Sequence, residues 1–304
     1  MKIVYAGSPQ YAVAPLKALL DAGYGVVAVL TQPDKPVGRK RVLTPTPVKS
    51  FALLKGLPVY DFARVRDHVD ELRKAGADVM ITCAYGQILT DGILNAFPLG
   101  VYNLHASLLP EFRGASPIQS AILSGCEYTG VTVMKTELAL DCGGILLVKR
   151  CRAAGKTYGE LSDELSGLSA EAAVEAVRIL GAGEPQLMLQ DEARATYCKK
   201  ISKADAAVDF KKPAEQVANL INAMSPSPAA FALFDGSAVN LLKAEPCGGE
   251  GECGTVLSAD KNGIVIACGV GAVKVTKLQF AGGKPLSAAD AVNGRKIKAG
   301  DKFD

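Results

Sequence analysis

Strand-like apolar runs alternate with helix-like segments through the first 180 residues or so, and few architectures accept that order. KIVYAG (2–7) precedes a helical stretch near 9–22, YGVVAVLT (24–31) another near 46–55, and ADVMITCA (77–84) and GVYNLH (100–105) lead to PIQSAILSG (117–125). The runs VTVMKTE and ILLVKRC then flank LALDCGG, and a helix over about 157–181 ends the series. Apolar strands separated by helices make a mostly parallel sheet covered on both faces, an α/β fold of the Rossmann-like kind. The first turn, AGSPQYA, lacks the G-x-G-x-x-G spacing that seats a dinucleotide pyrophosphate, so nicotinamide and flavin dinucleotides are not expected.

Within GVYNLH the side chains alternate, so Val101, Asn103 and His105 share one face while Tyr102 and Leu104 take the other. A strand that begins apolar and turns polar before a loop puts Asn103 and His105 at a carboxyl edge, where open α/β sheets bind ligands. The bare spacing fits equally a polar strand end covered by water. Asp141, in the glycine-rich LALDCGG turn, can reach the same edge or simply satisfy neighbouring amides as a turn residue. The other histidine, His68, lies in the charged RVRDHVDELRK and is expected on a surface helix.

Helical periodicity fades over 190–212, where lysines gather, and short β-rich segments from AAFALF to GAVKVTKLQ follow the helix-like AEQVANLINAM. That pattern predicts a Rossmann-like domain over 1–190, a linker over 191–208 and a small OB-like β-barrel over 209–304. Eight cysteines without a C-x-x-C pair, beside only two histidines, point away from zinc and toward free thiols in a reducing compartment. No apolar run reaches membrane-spanning length and the opening MKIVYAG lacks a basic leader, so a cytoplasmic protein without membrane contact is expected. The formal charge is only +3, yet residues 34–49 carry Lys35, Arg39, Lys40, Arg41 and Lys49 against Asp34, a local +4. Such a cluster suits a polyanionic partner.

The order Asn-x-His-x-Ser-Leu-Leu-Pro (103–110), Arg113-Gly114 and Asp-x-Gly (141–143) resembles the folate-dependent formyltransferases. MKIVYAGSP, AYGQIL (84–89) and Arg113-Gly114-Ala115-x-Pro117-Ile118 extend the resemblance over essentially the whole chain. TQPDKPVGRKRVLTPTPVK (31–49) is similar to the basic insertion after the second strand in the branch that acts on methionyl-tRNA. The resemblance implies 10-formyltetrahydrofolate as formyl donor, initiator methionyl-tRNA as acceptor, no metal, and a monomer with no obligate protein partner. It also implies catalytic roles for Asn103, His105 and Asp141, and folate contacts from Ser107, Leu108, Leu109, Pro110, Tyr85 and Gly86. Contacts with tRNA would come from Lys35, Arg39, Lys40 and Arg41, with Arg39 foremost. The sequence departs from the family at Glu111, where a basic residue is usual, at Cys142, where threonine is common, and in SPSPAAF (225–231), which lacks a tryptophan.

A formyl group on an aniline-like nitrogen is already activated, and amine attack places negative charge on its oxygen. Asn103 and His105 would supply donors to that oxygen. Asp141 would favour a charged imidazole and take the amine proton through water. Glycinamide ribonucleotide transformylases, sugar-amine formyltransferases and formyl-folate hydrolases share this arrangement, and a catalytically silent RNA-binding protein is the rival from another class. The second domain argues against the first, the basic insertion against the sugar enzymes, and retention of all three polar residues against the silent protein.

Overall fold

The computed structural model, which describes residues 1–38 and 40–304, turns the apolar runs of the first half into ten strands. They are β1 (Lys2–Gly7), β2 (Gly25–Leu30), β3 (Lys35–Val37), β4 (Val42–Thr44), β5 (Val59–Tyr60), β6 (Val79–Cys83), β7 (Val101–His105), β8 (Arg113–Gly114), β9 (Tyr128–Lys135) and β10 (Ile145–Arg152). Seven of them form one sheet in the order β10-β9-β7-β6-β1-β2-β5. Pairings from β5 through β7 are parallel, and β9 runs antiparallel to β7. The chain leaves β1 first toward β2 and later toward β6, so the strand order reverses there and the carboxyl edge opens.

Helices α1 (Val13–Asp21), α2 (Pro47–Leu54), α3 (Val69–Lys74), α4 (Asp91–Leu94), α5 (Pro117–Leu123) and α6 (Tyr158–Gly181) connect the strands. Strand alternation sorts β1 between two cores. Val4 and Ala6 join Leu30, Leu72, Met80, Ile93 and Phe97, whereas Ile3 and Tyr5 are equally buried outside that cluster. The Tyr5 hydroxyl donates to the Ala12 carbonyl (2.6 Å) just ahead of α1. Each such large apolar side chain contributes about 1.5–3 kcal/mol by leaving water.

Two units divide the chain: Met1–Pro117 with Thr129–Cys151 and Ser162–Cys198, and Ile118–Tyr128 with Arg152–Leu161 and Lys199–Asp304. In the first, the tail is built into the fold: β11 (Tyr197–Cys198) pairs in parallel with β8, and Met188 bridges Ile145 at the start of β10. Within the stretch expected as a linker over 191–208, residues 197–198 thus form a separate two-stranded sheet with β8. The 31–49 segment, expected as a basic insertion, holds an antiparallel hairpin in which β3 and β4 pair from Lys35↔Thr44 to Val37↔Val42.

In the second unit, α7 (Ala214–Ala223) precedes β12 (Ala230–Phe234), β13 (Ser237–Cys247), β14 (Val256–Asp260), β15 (Gly263–Ala267), β16 (Ala272–Phe280), β17 (Leu286–Ser287) and α8 (Ala288–Asn293). The antiparallel order is β12-β13-β16-β15-β14, with β17 beside β16. Both edges meet the last residues of the chain. Leu233 and Asp304 exchange backbone hydrogen bonds (3.0 and 2.9 Å), while Val256 donates to Asp301 (2.8 Å). Residues 301–304 therefore close the sheet into a small barrel around Val217, Ile221, Leu241, Ile266, Val273 and Phe303.

Candidate active site

Asn103 and His105 sit at the carboxyl end of β7, flanked by β6 on one side and β9 on the other. The Asn103 carboxamide is fixed by Thr82, its register partner on β6, whose hydroxyl donates to Oδ1 at 2.8 Å. That bond leaves Nδ2 with no acceptor among the described residues. His105 is 5% exposed, and its Nε2 lies 2.9 Å from the Phe112 carbonyl oxygen. A carbonyl only accepts, so Nε2 carries a hydrogen in every state of this ring. Nδ1 faces Oδ2 of Asp141 at 3.7 Å, an ion-pair distance for the protonated ring and too long for a direct hydrogen bond.

Asp141 arrives from the connection between β9 and β10 with a left-handed backbone (φ 51°). Its Oδ2 accepts from the Gly114 amide at 2.8 Å, and Oδ1 has no donor among the described residues. The connection is tight because Lys135 donates to the Gly144 carbonyl (2.9 Å). Gly143 is required there: a Cβ on it would lie 1.8 Å from the Lys135 oxygen. Gly114 is equally constrained, since a Cβ would come within 2.4 Å of the Cys198 oxygen.

The Ser-Leu-Leu-Pro turn is stapled rather than open. Ser107 is fully buried with its hydroxyl on the Glu111 carbonyl (2.6 Å), and Thr132 bridges the Ser107 carbonyl (2.7 Å) and the Leu109 amide (3.1 Å). Leu109 packs with Met134 and Ile145, Pro110 is buried, and Leu108 is half-buried over Gly130. Tyr85 turns its ring into the core and burial pushes its hydroxyl pKa up. Segment 85–86 is tied by its carbonyls: Ser8 donates to Tyr85 (3.2 Å), and the Gln32 carboxamide donates to Tyr85 (3.2 Å) and Gly86 (3.0 Å). What this segment can offer a ligand is its main chain.

On the β3–β4 hairpin, Lys35, Lys40 and Arg41 are exposed, with no carboxylate partner among the described residues. Arg39 lies outside the described residues. Lys49 differs from its neighbours in the cluster, because Asp34 and Asp61 hold it at 2.7 Å each and raise its pKa. It anchors the root of the hairpin, beside the hydroxyl pair of Thr31 and Thr46 (2.5 Å). His68 takes no part in the site. It precedes α3, stacking on Phe62 (3.8 Å) and pairing with Glu71 (3.1 Å).

Of the departures from the family pattern, Glu111 pairs with Arg194 (3.3 Å) and burial pushes the Cys142 thiol pKa up. Among the described residues, no group of three or more His, Cys, Asp or Glu side chains converges as a metal site. No helix among them is long and apolar enough to cross a membrane. Thr82 and Gln190 are functional candidates that sequence reasoning missed. Their partners are 21 and 47 to 77 residues away in sequence, beyond any local periodicity.

The family pattern described as Formyl transferase matches residues 1–177, and Formyl transferase, C-terminal domain, matches residues 200–296. Fold, site and both matches define the class: a two-part formyl transferase. The chain is 44% identical over 299 residues to methionyl-tRNA formyltransferase from Ectopseudomonas mendocina, covering 97% of this chain and 95% of that one. Identity to methionyl-tRNA formyltransferase from Chromobacterium violaceum is 43% over 307 residues, covering 100% and 99%. The chain belongs to the methionyl-tRNA formyltransferase family. Its fold is also like that of the N-formyltransferase from Helicobacter canadensis, solved in complex with folinic acid and dTDP-3-aminofucose. The TM-score is 0.70 at 16% identity, over 90% of this chain and 98% of that one.

Proposed function

We propose that this protein transfers the formyl group of 10-formyltetrahydrofolate to the α-amino group of initiator methionyl-tRNA, giving N-formylmethionyl-tRNA for translation initiation. One observation carries the reading: β7 and the β9–β10 connection set polar groups around one edge while leaving Asn103 Nδ2 and Asp141 Oδ1 without partners among the described residues. Those uncommitted atoms fit an acyl group under attack by an amine. The formyl carbon is activated by its arylamine nitrogen, so the reaction needs neither metal nor nucleotide.

Attack by the neutral amine places negative charge on the formyl oxygen, and Asn103 Nδ2 donates to it. His105 has Nε2–H committed to the Phe112 carbonyl, so the donor it adds is Nδ1–H, present in the protonated ring whose counter-ion is Asp141. The amine proton passes through water to the open Oδ1 of Asp141 and from there to the folate nitrogen, which leaves as a neutral secondary amine as the C–N bond breaks. The wall formed by Leu108, Leu109 and Pro110, with the backbone of Tyr85 and Gly86, holds the folate. Lys35, Lys40 and Arg41 on the hairpin, together with Arg39, bind tRNA phosphates and lead the aminoacylated end to the site, and the barrel over 209–304 adds tRNA contacts of its own. The same reading makes the protein a cytoplasmic enzyme that works as a monomer.

Transfer of a labelled formyl group tests this directly. Methionyl-tRNA is formylated, while free methionine and a nucleotide-linked amino sugar are not. Faster transfer to the sugar amine, or none to methionyl-tRNA, contradicts the reading.

A further inference from the structure

Arg113 is the largest fully buried side chain among the described residues, at 1% exposure, and buried guanidinium groups must be paired. Two of its nitrogens donate to Gln190 Oε1, Nε at 3.1 Å and Nη2 at 2.8 Å. Glu192 receives two further bonds (2.9 and 2.6 Å), and Tyr197 a fifth at 3.2 Å. With its oxygen fixed this way, the Gln190 carboxamide turns Nε2 toward the β9–β10 connection. There it donates to the carbonyls of Asp141 (2.9 Å) and Gly143 (2.8 Å).

All four hydrogen-bonding positions of the Gln190 amide are thus used. The backbone register explains the reach: Met188 and Ile145 exchange hydrogen bonds (2.8 and 2.9 Å), which lays residues 188–190 alongside the connection. From the other side the Gly114 amide, next in chain to Arg113, holds the Asp141 carboxylate at 2.8 Å. Asp141 is therefore gripped by its side chain and by its carbonyl, at a left-handed φ of 51° that a free aspartate rarely adopts.

We propose that Gln190, oriented by Arg113, is a positioning residue that sets where the Asp141 carboxylate stands relative to His105. The inference rests on the role given to Asp141 above. Gln190 touches neither reacting group and acts only through the backbone of 141–143. The donors matter for positioning; the acceptor matters for keeping Arg113 paired.

Gln190→Glu separates the two functions. A carboxylate keeps both bonds from Arg113, so the fold survives, but it turns an oxygen toward the two carbonyls and pushes the connection away. An ångström-scale displacement of a reacting group costs about 100-fold in rate. Gln190→Glu is expected to lower kcat about 10- to 100-fold with little change in KM for either substrate and a near-native Tm. Gln190→Met, which loses all four bonds, is expected to lower both kcat and Tm. In an Asp141→Asn background, Gln190→Glu is expected to cost less than about threefold further, because its effect runs through the carboxylate already removed.

Near-native kcat for Gln190→Glu, or a loss that multiplies with that of Asp141→Asn, overturns the inference and leaves the role of Asp141 standing. Near-native turnover by Asp141→Asn alone instead overturns the role of Asp141, and the inference with it.

Discussion

Replacing Asn103 by alanine removes a carboxamide hydrogen-bond donor that the site leaves unpaired among the described residues. Thr82 fixes Oδ1 at 2.8 Å, so the carboxamide needs no reorganisation to donate from Nδ2 when charge develops on the formyl oxygen. Losing one preorganised donor of this kind costs roughly 100- to 1,000-fold in rate, about 2.7–4 kcal/mol of transition-state stabilisation. Truncation leaves Thr82 with a second acceptor, the Tyr102 carbonyl at 3.4 Å, so the fold is expected to survive. Removing the orienting hydroxyl in Thr82→Val loses a neutral bond of about 1 kcal/mol and predicts a drop near fivefold. The assay is single-turnover formyl transfer with both substrates saturating, followed by KM for each. The loss for Asn103→Ala falls on kcat. A rate within about threefold of wild type, or a loss confined to KM, refutes the donor role.

Neutralising Lys40 and Arg41 together is expected to raise KM for methionyl-tRNA and flatten its salt dependence by roughly 0.7–0.9 log units per lost phosphate contact, without changing KM for the formyl donor. Lys49→Ala, by contrast, removes the hairpin anchor to Asp34 and Asp61 and should appear first as a lowered Tm, within about 1 kcal/mol for a partly exposed pair. Gly143→Ala drives a Cβ to 1.8 Å from the Lys135 oxygen, so the connection must shift; loss of kcat with the expected fall in Tm checks it, and near-native turnover would contradict it. Hydrogen bonds from Arg113 hold the Glu192 carboxyl below its ordinary range. Its stabilisation is complete above the unfolded carboxylate value and disappears as pH falls through the lowered folded one. Glu192→Gln is therefore expected to flatten the acid limb of a Tm-versus-pH profile below about pH 4.5.

The parallel sheet was legible because β1, β2, β6 and β7 are apolar runs bounded by turns, and a buried parallel strand needs little else. The shared face of Asn103 and His105 followed from strand periodicity alone. Asp141 came only through the family motif, since a loop aspartate 36 or more residues away has no periodic tie to β7. The hairpin over 31–49 was not legible because Pro36, Gly38 and the charges break any strand pattern, and Gly38 and Arg41 both take a left-handed backbone. Lys49 looked like one more surface cation until folding brought Asp61 to it. Arg113 was visible as a motif residue without a role, and Gln190 was invisible, because their shared network exists only once β8 pairs with β11.

If Asn103 and Asp141 serve one reacting centre, their losses must not multiply. The single-turnover rate of formyl transfer to methionyl-tRNA by the Asn103→Ala, Asp141→Asn double variant measures this most directly. The double variant is predicted to stay within about tenfold of the slower single variant. A rate equal to the product of the two separate losses would show two independent contributions and contradict a single site built from β7 and the β9–β10 connection.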